Sequence, residues 1–535
     1  MNFSNFLSRT RYIPFALLLV VAFLLYGNSI NGEFLLDDYG LIVNNESITS
    51  LGNIGDFFTH HRLHGTGLES NLYRPIPTLV NAFLFSIFKL NAVGYHIANI
   101  LLYAVNGLLV YGILRRLSFS QILGFCGTLL YFVHPIHTEV VAYIAGMTDL
   151  LHNFVILLPI FLFLNPKRGR VDFFGICALG VIAAFTKESS VMLMPLIGLF
   201  AGMEFLTSGK KEVKRNKENA ILLIWLTCVF IVFFTLKFTV FNFAENGLGL
   251  TTETDAYVEN LGVRLLTFLH VIPEYLRLIF FPKDLFFYKP ASEFVTHLTL
   301  KGILGIITIT SVCVGSYYSF FKNKLYSIGL MWAGLSLIPF MGIIPLNALY
   351  TERWITISLI GIIIVLLEIV RSMCIKNRQK YVSVFFVIVL IVLGGRTIER
   401  SNEWASNLDF YLNEVEHHPN SAMLHNEVGV AYMKSGDLEK AIEYYEISLH
   451  KDPSFGFAHF NLANTYMNLG LHEQGIEQYY ETLYDEHILD AYRALHQIYT
   501  HLTGEPEKAA QIEVLLKKIE AGKFVSREEL DMTRN

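Results

Sequence analysis

Charged and titratable side chains stand at the edges of long apolar runs in this 535-residue chain. Asp37 and Asp38 follow the first run. Arg74 opens a shorter one. His134, His137, Glu139 and Asp149 fall in one turn between two runs, Lys187 and Glu188 separate two more, and Glu352 and Arg353 precede another. Ionisable groups in or beside membrane-length segments are costly and default to functional roles. A carboxylate held just above a bilayer can take the proton of an incoming hydroxyl, which makes Asp37 and Asp38 the candidate bases. Adjacent residues point differently, so one of the pair serves as base and the other orients it or contacts a metal. Arg offers a two-pronged fork to a phosphate and Lys a point charge. Arg74, Lys187 and Arg353 therefore suit an anionic substrate, with His134 and His137 as further donors. Glu139, Asp149, Glu188 and Glu352 suit substrate hydroxyls or hold the cations in place. The pair Asp37-Asp38 is a thin ligand set for magnesium, which wants octahedral oxygen coordination, so a divalent metal is an open option with weak support and no cofactor is certain.

The elements that must carry these residues are apolar helices. The chain is 53% hydrophobic and 16% charged, with a mean hydropathy of +0.44, against about 25% charged residues in soluble domains. This excludes a wholly soluble, fibrous or disordered protein. The net charge of −5 and the lack of a basic face argue against nucleic acid as a partner. Runs of roughly the 17 to 25 residues that cross a bilayer centre on 12–30, 95–114, 120–134, 148–165, 171–187, 188–204, 219–241, 298–319, 325–345, 354–371 and 380–396. Basic loops lie at Arg9/Arg11, Arg115/Arg116, Lys167 to Arg170, Lys210 to Lys217, Lys322/Lys324 and Arg371 to Lys380. Eleven spans place all of them on one side, the cytoplasmic one by the positive-inside rule. The stretches 75–88 and 262–281 are short or charged and read as interfacial helices. No small-residue cleavage site follows the first run, which reads as an uncleaved span. The first outer loop, 31–94, and the polar tail then lie outside the cytoplasm. The five cysteines form no CxxC motif, so a zinc or redox site is not expected.

The apolar signal stops near Arg396. From His425 the tail is periodic: Gly429, Tyr432, Gly436 and Tyr445 recur 34 residues later as Ala463, Tyr466, Gly470 and Tyr479. A weaker third unit includes Tyr499, Gly504 and Ala509. A period of 34 with small, aromatic and breaker residues at these places is the tetratricopeptide pattern, a stack of helix pairs with a concave face suited to extended peptide. The expected organisation is a membrane domain over 1–396, a connecting helix over 397–424 and repeats over 425–535. The fold class is all-α, a polytopic helical domain followed by an α-solenoid.

The stretches FLLDDYGLIVNN, YRPIPTLVNAFLF, GYHIANILLYAVN, HPIHTEVVAYIAGMTDLL, FTKESSVML and RTIERSNEW keep the order seen in a known family. The chain resembles the transmembrane and tetratricopeptide repeat-containing O-mannosyltransferases, which are membrane glycosyltransferases of the GT-C class. The resemblance implies a polyprenyl- or dolichyl-phosphate sugar as donor and a protein acceptor. It also implies an active site outside the cytoplasm with an acidic residue in the first outer loop, and an inverting single displacement. By this resemblance Asp38 is favoured over Asp37 as the base. Two departures stand out: Met147 replaces the Arg usual in that turn, and residues 242–260 carry no family motif.

Three functions compete. Charges gathered at one face, without half-to-half similarity, argue against a transporter. A membrane-anchored repeat scaffold with a degenerate transferase domain is the alternative, and retention of the acidic, basic and histidine positions weighs against it. The favoured reading is a multi-pass glycosyltransferase of a bacterial inner membrane or the endoplasmic reticulum, embedded in membrane lipid, whose repeats hold the acceptor.

Overall fold

A computed structural model describes residues 13–534, apart from 69, 209–212, 244–254, 290–293, 347, 375–378, 486–488, 522 and 524. Arg9 and Arg11, Lys210 and Lys211, and parts of the basic loop 371–380 and of the 242–260 segment lie outside the described residues. Every regular element among the described residues is helical, as the sequence implies. The chain forms two compact units, Met1–Ala405 and Ser406–Asn535.

In the first unit, eight helices among the described residues are long and apolar enough to cross a membrane. They are Pro14–Asn31, Ala92–Arg116, Ile144–Phe163, Glu188–Thr207, Val213–Thr239, Leu300–Lys322, Glu352–Met373 and Lys380–Asn402. The protein is therefore a multi-pass membrane protein. The other three apolar runs form shorter helices, Gln121–Phe132, Arg170–Ala184 and Lys324–Leu335. At about 1.5 Å per residue these cover less than the ~30 Å of a hydrocarbon core. Their ends are chemical. Pro135 follows the first, polar Thr186-Lys187 the second and Pro339 the third, and a proline cannot continue the backbone ladder. Pro75–Phe88 and the amphipathic Leu261–Phe280 are not among the eight.

Local signals set the boundaries. Asn91 caps Ala92–Arg116 by accepting the Val93 N–H at 3.1 Å, a role Asn favours, and Pro75 sits at the first turn of its helix, where its missing N–H costs nothing. The core runs through Ile100, Tyr103, Leu150, Ile156, Ile160, Trp332 and Ile363. Helices Lys324–Leu335 and Thr356–Cys374 touch through Gly329 and Gly361; a Cβ on Gly361 would lie 2.5 Å from the Ala333 nitrogen.

The second unit is a set of antiparallel helix pairs: Ala422–Ser435 with Leu438–Lys451, Gly456–Asn468 with His472–Asp485, and Leu489–Gln497, extended by a turn to Leu502, with Pro506–Glu520. The weak third repeat is thus a helix pair like the others. Gly436, Gly470 and Gly504 end the first helix of each pair with φ of +86°, +76° and +69°, the left-handed turn glycine adopts without strain. Gly429 faces the Tyr445 ring, whose Cε1 would stand 2.5 Å from a Cβ there. The last helix, Arg527–Arg534, closes the stack: the Tyr480 hydroxyl donates to the Thr533 carbonyl at 2.9 Å, and Leu530 is buried.

Candidate functional site

The loop after the first helix turns sharply at Leu36, whose φ is +47°. This sets the two aspartates in different surroundings. Asp38 is fully buried; its Oδ2 accepts the Leu35 N–H at 2.9 Å and its Oδ1 the Ala145 N–H at 2.8 Å. Burial pushes its carboxyl well above the usual carboxylate range, against those two donors and with the Asp37 charge adding to the rise. Asp37 is exposed. Its own N–H donates to the Tyr143 hydroxyl at 2.9 Å. Tyr143 is buried, and its phenol is pushed up by burial and by the two aspartate charges.

Around Asp37 the chain gathers cations. Arg62 is buried, donates to Thr148 Oγ1 at 2.7 Å and is within electrostatic reach of Asp37, Arg74 and Asp149; burial and the Arg74 charge pull its guanidinium down to about 10. Lys187 pairs with Asp149 at 2.5 Å, both nearly sealed from solvent. Arg353 pairs with Glu139 at 3.4 Å, while its backbone N–H donates to the other oxygen of the same carboxylate at 3.1 Å. Both Asp149 and Asp37 act on Arg353 electrostatically. Arg74 donates through Nε and Nη2 to one oxygen of Glu188, at 3.0 and 2.9 Å, and Lys237 takes the other at 2.5 Å. Burying the Lys187, Arg353, Arg74 and Lys237 charges is tolerable because each has a carboxylate partner.

The structure therefore brings together Asp37, Asp38, Arg74, Glu139, Asp149, Lys187, Glu188 and Arg353. Glu352 lies beside them but points to Arg400, 3.7 Å away. His134 and His137 face inward. His134 Nε2 bonds the Ile279 carbonyl at 2.8 Å, and the His137 ring packs 4.1 Å from Tyr131 and 5.4 Å from Tyr103. Burial pulls His134 down to about 4 and His137 well below the ordinary imidazole value. Among the described residues no group of three or more His, Cys, Asp or Glu side chains is arranged to hold a metal ion. Sequence reasoning missed Arg62, Tyr143 and Lys237. Lys237 was detectable as a lone cation inside an apolar run. Arg62 lies in the polar stretch HHRLHG, and Tyr143 acts through its backbone-facing hydroxyl, so neither carries such a signal.

Between Glu188–Thr207 and Val213–Thr239 an open groove of about 410 Å³ is lined by Val191, Met194, Phe230, Phe234 and Phe238 with Thr227, Thr235 and Thr239. Val191 and Phe238 stand within three residues of the paired Glu188 and Lys237. The groove is almost wholly apolar and ends beside charge, a shape that matches an apolar chain bearing an anionic head.

Fold and site together define a multi-pass helical membrane protein with a largely buried cluster of paired acids and cations and a repeat unit. The tetratricopeptide repeat model matches residues 422–455. Along most of its length the chain is similar to proteins named protein O-mannosyl-transferase. It is 22% identical to F38B6.6 of Caenorhabditis elegans over 80% of this chain and 61% of that protein. It is 25% identical to TMTC4 of Homo sapiens over 79% and 64%, and 33% identical to human TMTC1 over 29% of this chain and 18% of that protein. The chain thus spans about two thirds or less of the length of these relatives.

Proposed function

We propose that this chain is an integral membrane glycosyltransferase that moves a sugar, mannose by the names of its relatives, from a polyprenyl-phosphate donor to hydroxyl groups of protein outside the cytoplasm. The observation that carries the reading is the exposed Asp37 carboxylate within electrostatic reach of Arg62 and Arg353, beyond which Arg74 and Lys187 act on those two cations. Asp37 takes the proton of the acceptor hydroxyl. The hydroxyl oxygen bonds to the anomeric carbon as the carbon–oxygen bond to phosphate breaks, and the phosphate leaves with the electron pair. Fixed cations stabilise that charge better than water does, because they need no reorganisation during the step. The resemblance favours Asp38 as base. The surroundings favour Asp37, because both Asp38 oxygens are occupied by backbone donors and its burial disfavours the charged form. Asp38 is then the residue that orients the loop. The isoprenoid tail lies in the Phe230/Phe234/Phe238 groove, with its phosphate meeting Arg74, Lys237 and Lys187.

The repeats hold the acceptor, and both repeats and site lie outside the cytoplasm. The basic clusters Arg115/Arg116 and Lys322/Lys324, at the ends of their helices, support that orientation. The test is to incubate the detergent-purified protein with polyprenyl-phosphate mannose and a Ser/Thr-rich acceptor. Donor loss with a hexose added to the acceptor is expected. A donor left intact, while the repeats still bind the acceptor, would favour the scaffold reading.

A further inference from the structure

The segment that ends the last apolar helix, Thr397 to Ala405, touches the Asp37 loop, the turn after Phe132 and the Glu352–Ile355 turn within the membrane unit. Thr397 Oγ1 donates to the Val133 carbonyl at 2.7 Å, and Ser401 Oγ to Asn28 Oδ1 at 2.9 Å. The Glu33 N–H, four residues before Asp37, donates to the Ala405 carbonyl at 3.2 Å. Trp404 is fully buried; its ring lies 5.3 Å from Tyr143 and 5.8 Å from Phe287. Tyr143 holds the Asp37 N–H, and the Arg353 guanidinium sits 5.8 Å over Phe287. Arg400, only 1% exposed, reaches Glu352 at 3.7 Å and pairs with Glu403, while its guanidinium lies 5.6 Å from the Trp404 ring. Glu352 is the chain neighbour of Arg353 in the short helix Glu352–Ile355.

We propose that Trp404 and Arg400 are positioning residues of the transferase site. Trp404 holds Tyr143, and through it the backbone of Asp37. Arg400, through Glu352, sets the helical turn that presents Arg353 to the donor phosphate. The inference rests on the transferase reading above. Its physical basis is that a buried aromatic and a buried, paired guanidinium have one packed arrangement each, so the groups they contact inherit a fixed place. A displacement of about 1 Å in a reacting group can cost about 10²-fold in rate. The two residues act on different halves of the reaction. Loss of Trp404 mainly lowers kcat, because it disturbs the base. Loss of Arg400 mainly raises the donor KM, because it disturbs a phosphate ligand.

The experiment measures donor and acceptor kinetics for the full chain and for Trp404→Ala, Trp404→Phe, Tyr143→Phe, Arg400→Gln and Arg400→Lys, each made also in an Asp37→Asn background. Expected are a kcat at least about tenfold lower in Trp404→Ala and Tyr143→Phe with donor KM unchanged, partial recovery in Trp404→Phe, a raised donor KM in Arg400→Gln, and partial recovery in Arg400→Lys. Expected too is no further loss when Trp404→Ala joins Asp37→Asn, the non-additivity of groups that act as a unit. If Trp404→Ala does not fold, Tyr143→Phe and Trp404→Phe carry the same kcat test. An unchanged kcat in these variants, or an equal loss with and without Asp37, overturns the positioning role while leaving the transferase reading intact. A wild-type protein that consumes no donor overturns the transferase reading and this role with it.

Discussion

The membrane unit and the repeat unit solve burial in opposite ways. The repeats reuse one solution: a small residue opposite an aromatic, as at Gly429 and Tyr445, and a left-handed glycine after each first helix, at a fixed spacing. The membrane unit buries charge in single contacts that never recur. Lys187–Asp149 joins residues 38 apart in sequence, Arg74–Glu188 residues 114 apart, and the Arg353 N–H reaches Glu139 across 214. Periodic burial makes a stable surface from local rules. Unique burial makes a place where particular groups meet, and that is where chemistry is expected.

The sharpest way to test this contrast is Asp37→Asn. The exposed amide is nearly isosteric and a far weaker base, so turnover should fall by about 10² to 10⁴-fold with an unchanged thermal midpoint. Asp38→Asn should do the reverse in kind. Its amide nitrogen would face one of the two backbone N–H donors at Leu35 or Ala145, so the midpoint should fall along with activity. Equal midpoints for the two variants would erase the distinction between an exposed base and a buried brace.

Next in size is Asp149→Asn. It leaves the Lys187 ammonium buried without its partner, a loss of roughly 3 to 5 kcal/mol for a broken buried pair, read as earlier thermal inactivation of the membrane unit. An acid-sensitivity test has a defined sign. His134 stays neutral in the fold down to about 4, whereas an unfolded imidazole takes a proton near 6.5. The unfolded chain thus binds the extra proton first. Stability is fully present above about 6.5 and is lost as pH falls toward 4, and His137, shifted in the same direction by burial, adds to the loss. His134→Gln should flatten that part of the profile, and an unchanged profile would mean the ring is already solvated.

The repeat unit should respond more mildly. Gly429→Ala forces a methyl against Tyr445, an overpacking cost of typically about 1 to 3 kcal/mol. Gly436→Ala imposes a left-handed backbone on a residue with a Cβ, at about 1 to 2 kcal/mol. Both should lower the repeat transition in a thermal scan and leave donor KM alone. Smallest of all is Arg493→Ala. Its pairs with Asp490 and Glu520 are half exposed, and the midpoint should not move measurably.

How much could be read in the sequence follows the same division. The repeats and their period were legible because local residues dictate them: Gly436 and Gly470 act within a turn of themselves. That Asp37, Arg74, Glu139, Asp149, Lys187, Glu188 and Arg353 stand at the ends of apolar runs was legible. Which acid meets which cation was not, since those pairings depend on how distant helices pack. The separate environments of Asp37 and Asp38 were also hidden. They arise from one turn at Leu36 and from a donor, Ala145, more than a hundred residues away. His134 and His137 look chemical in sequence; both are buried, His134 against the Ile279 carbonyl and His137 against two tyrosine rings.

Glu188 takes Arg74 on one oxygen and Lys237 on the other, so the resting pocket already contains an internal competitor for its cations. In the proposed transferase, an incoming phosphate would have to displace a carboxylate rather than fill a vacancy. A doubly charged or well-anchored ligand would win that exchange, whereas a weak, freely diffusing anion would gain little over the tethered glutamate. On that reading the ion pair acts as a threshold. It would lower affinity for every anion and let the apolar groove beside it decide which anion succeeds, because only a ligand that also buries a long hydrocarbon chain would bring the additional free energy needed.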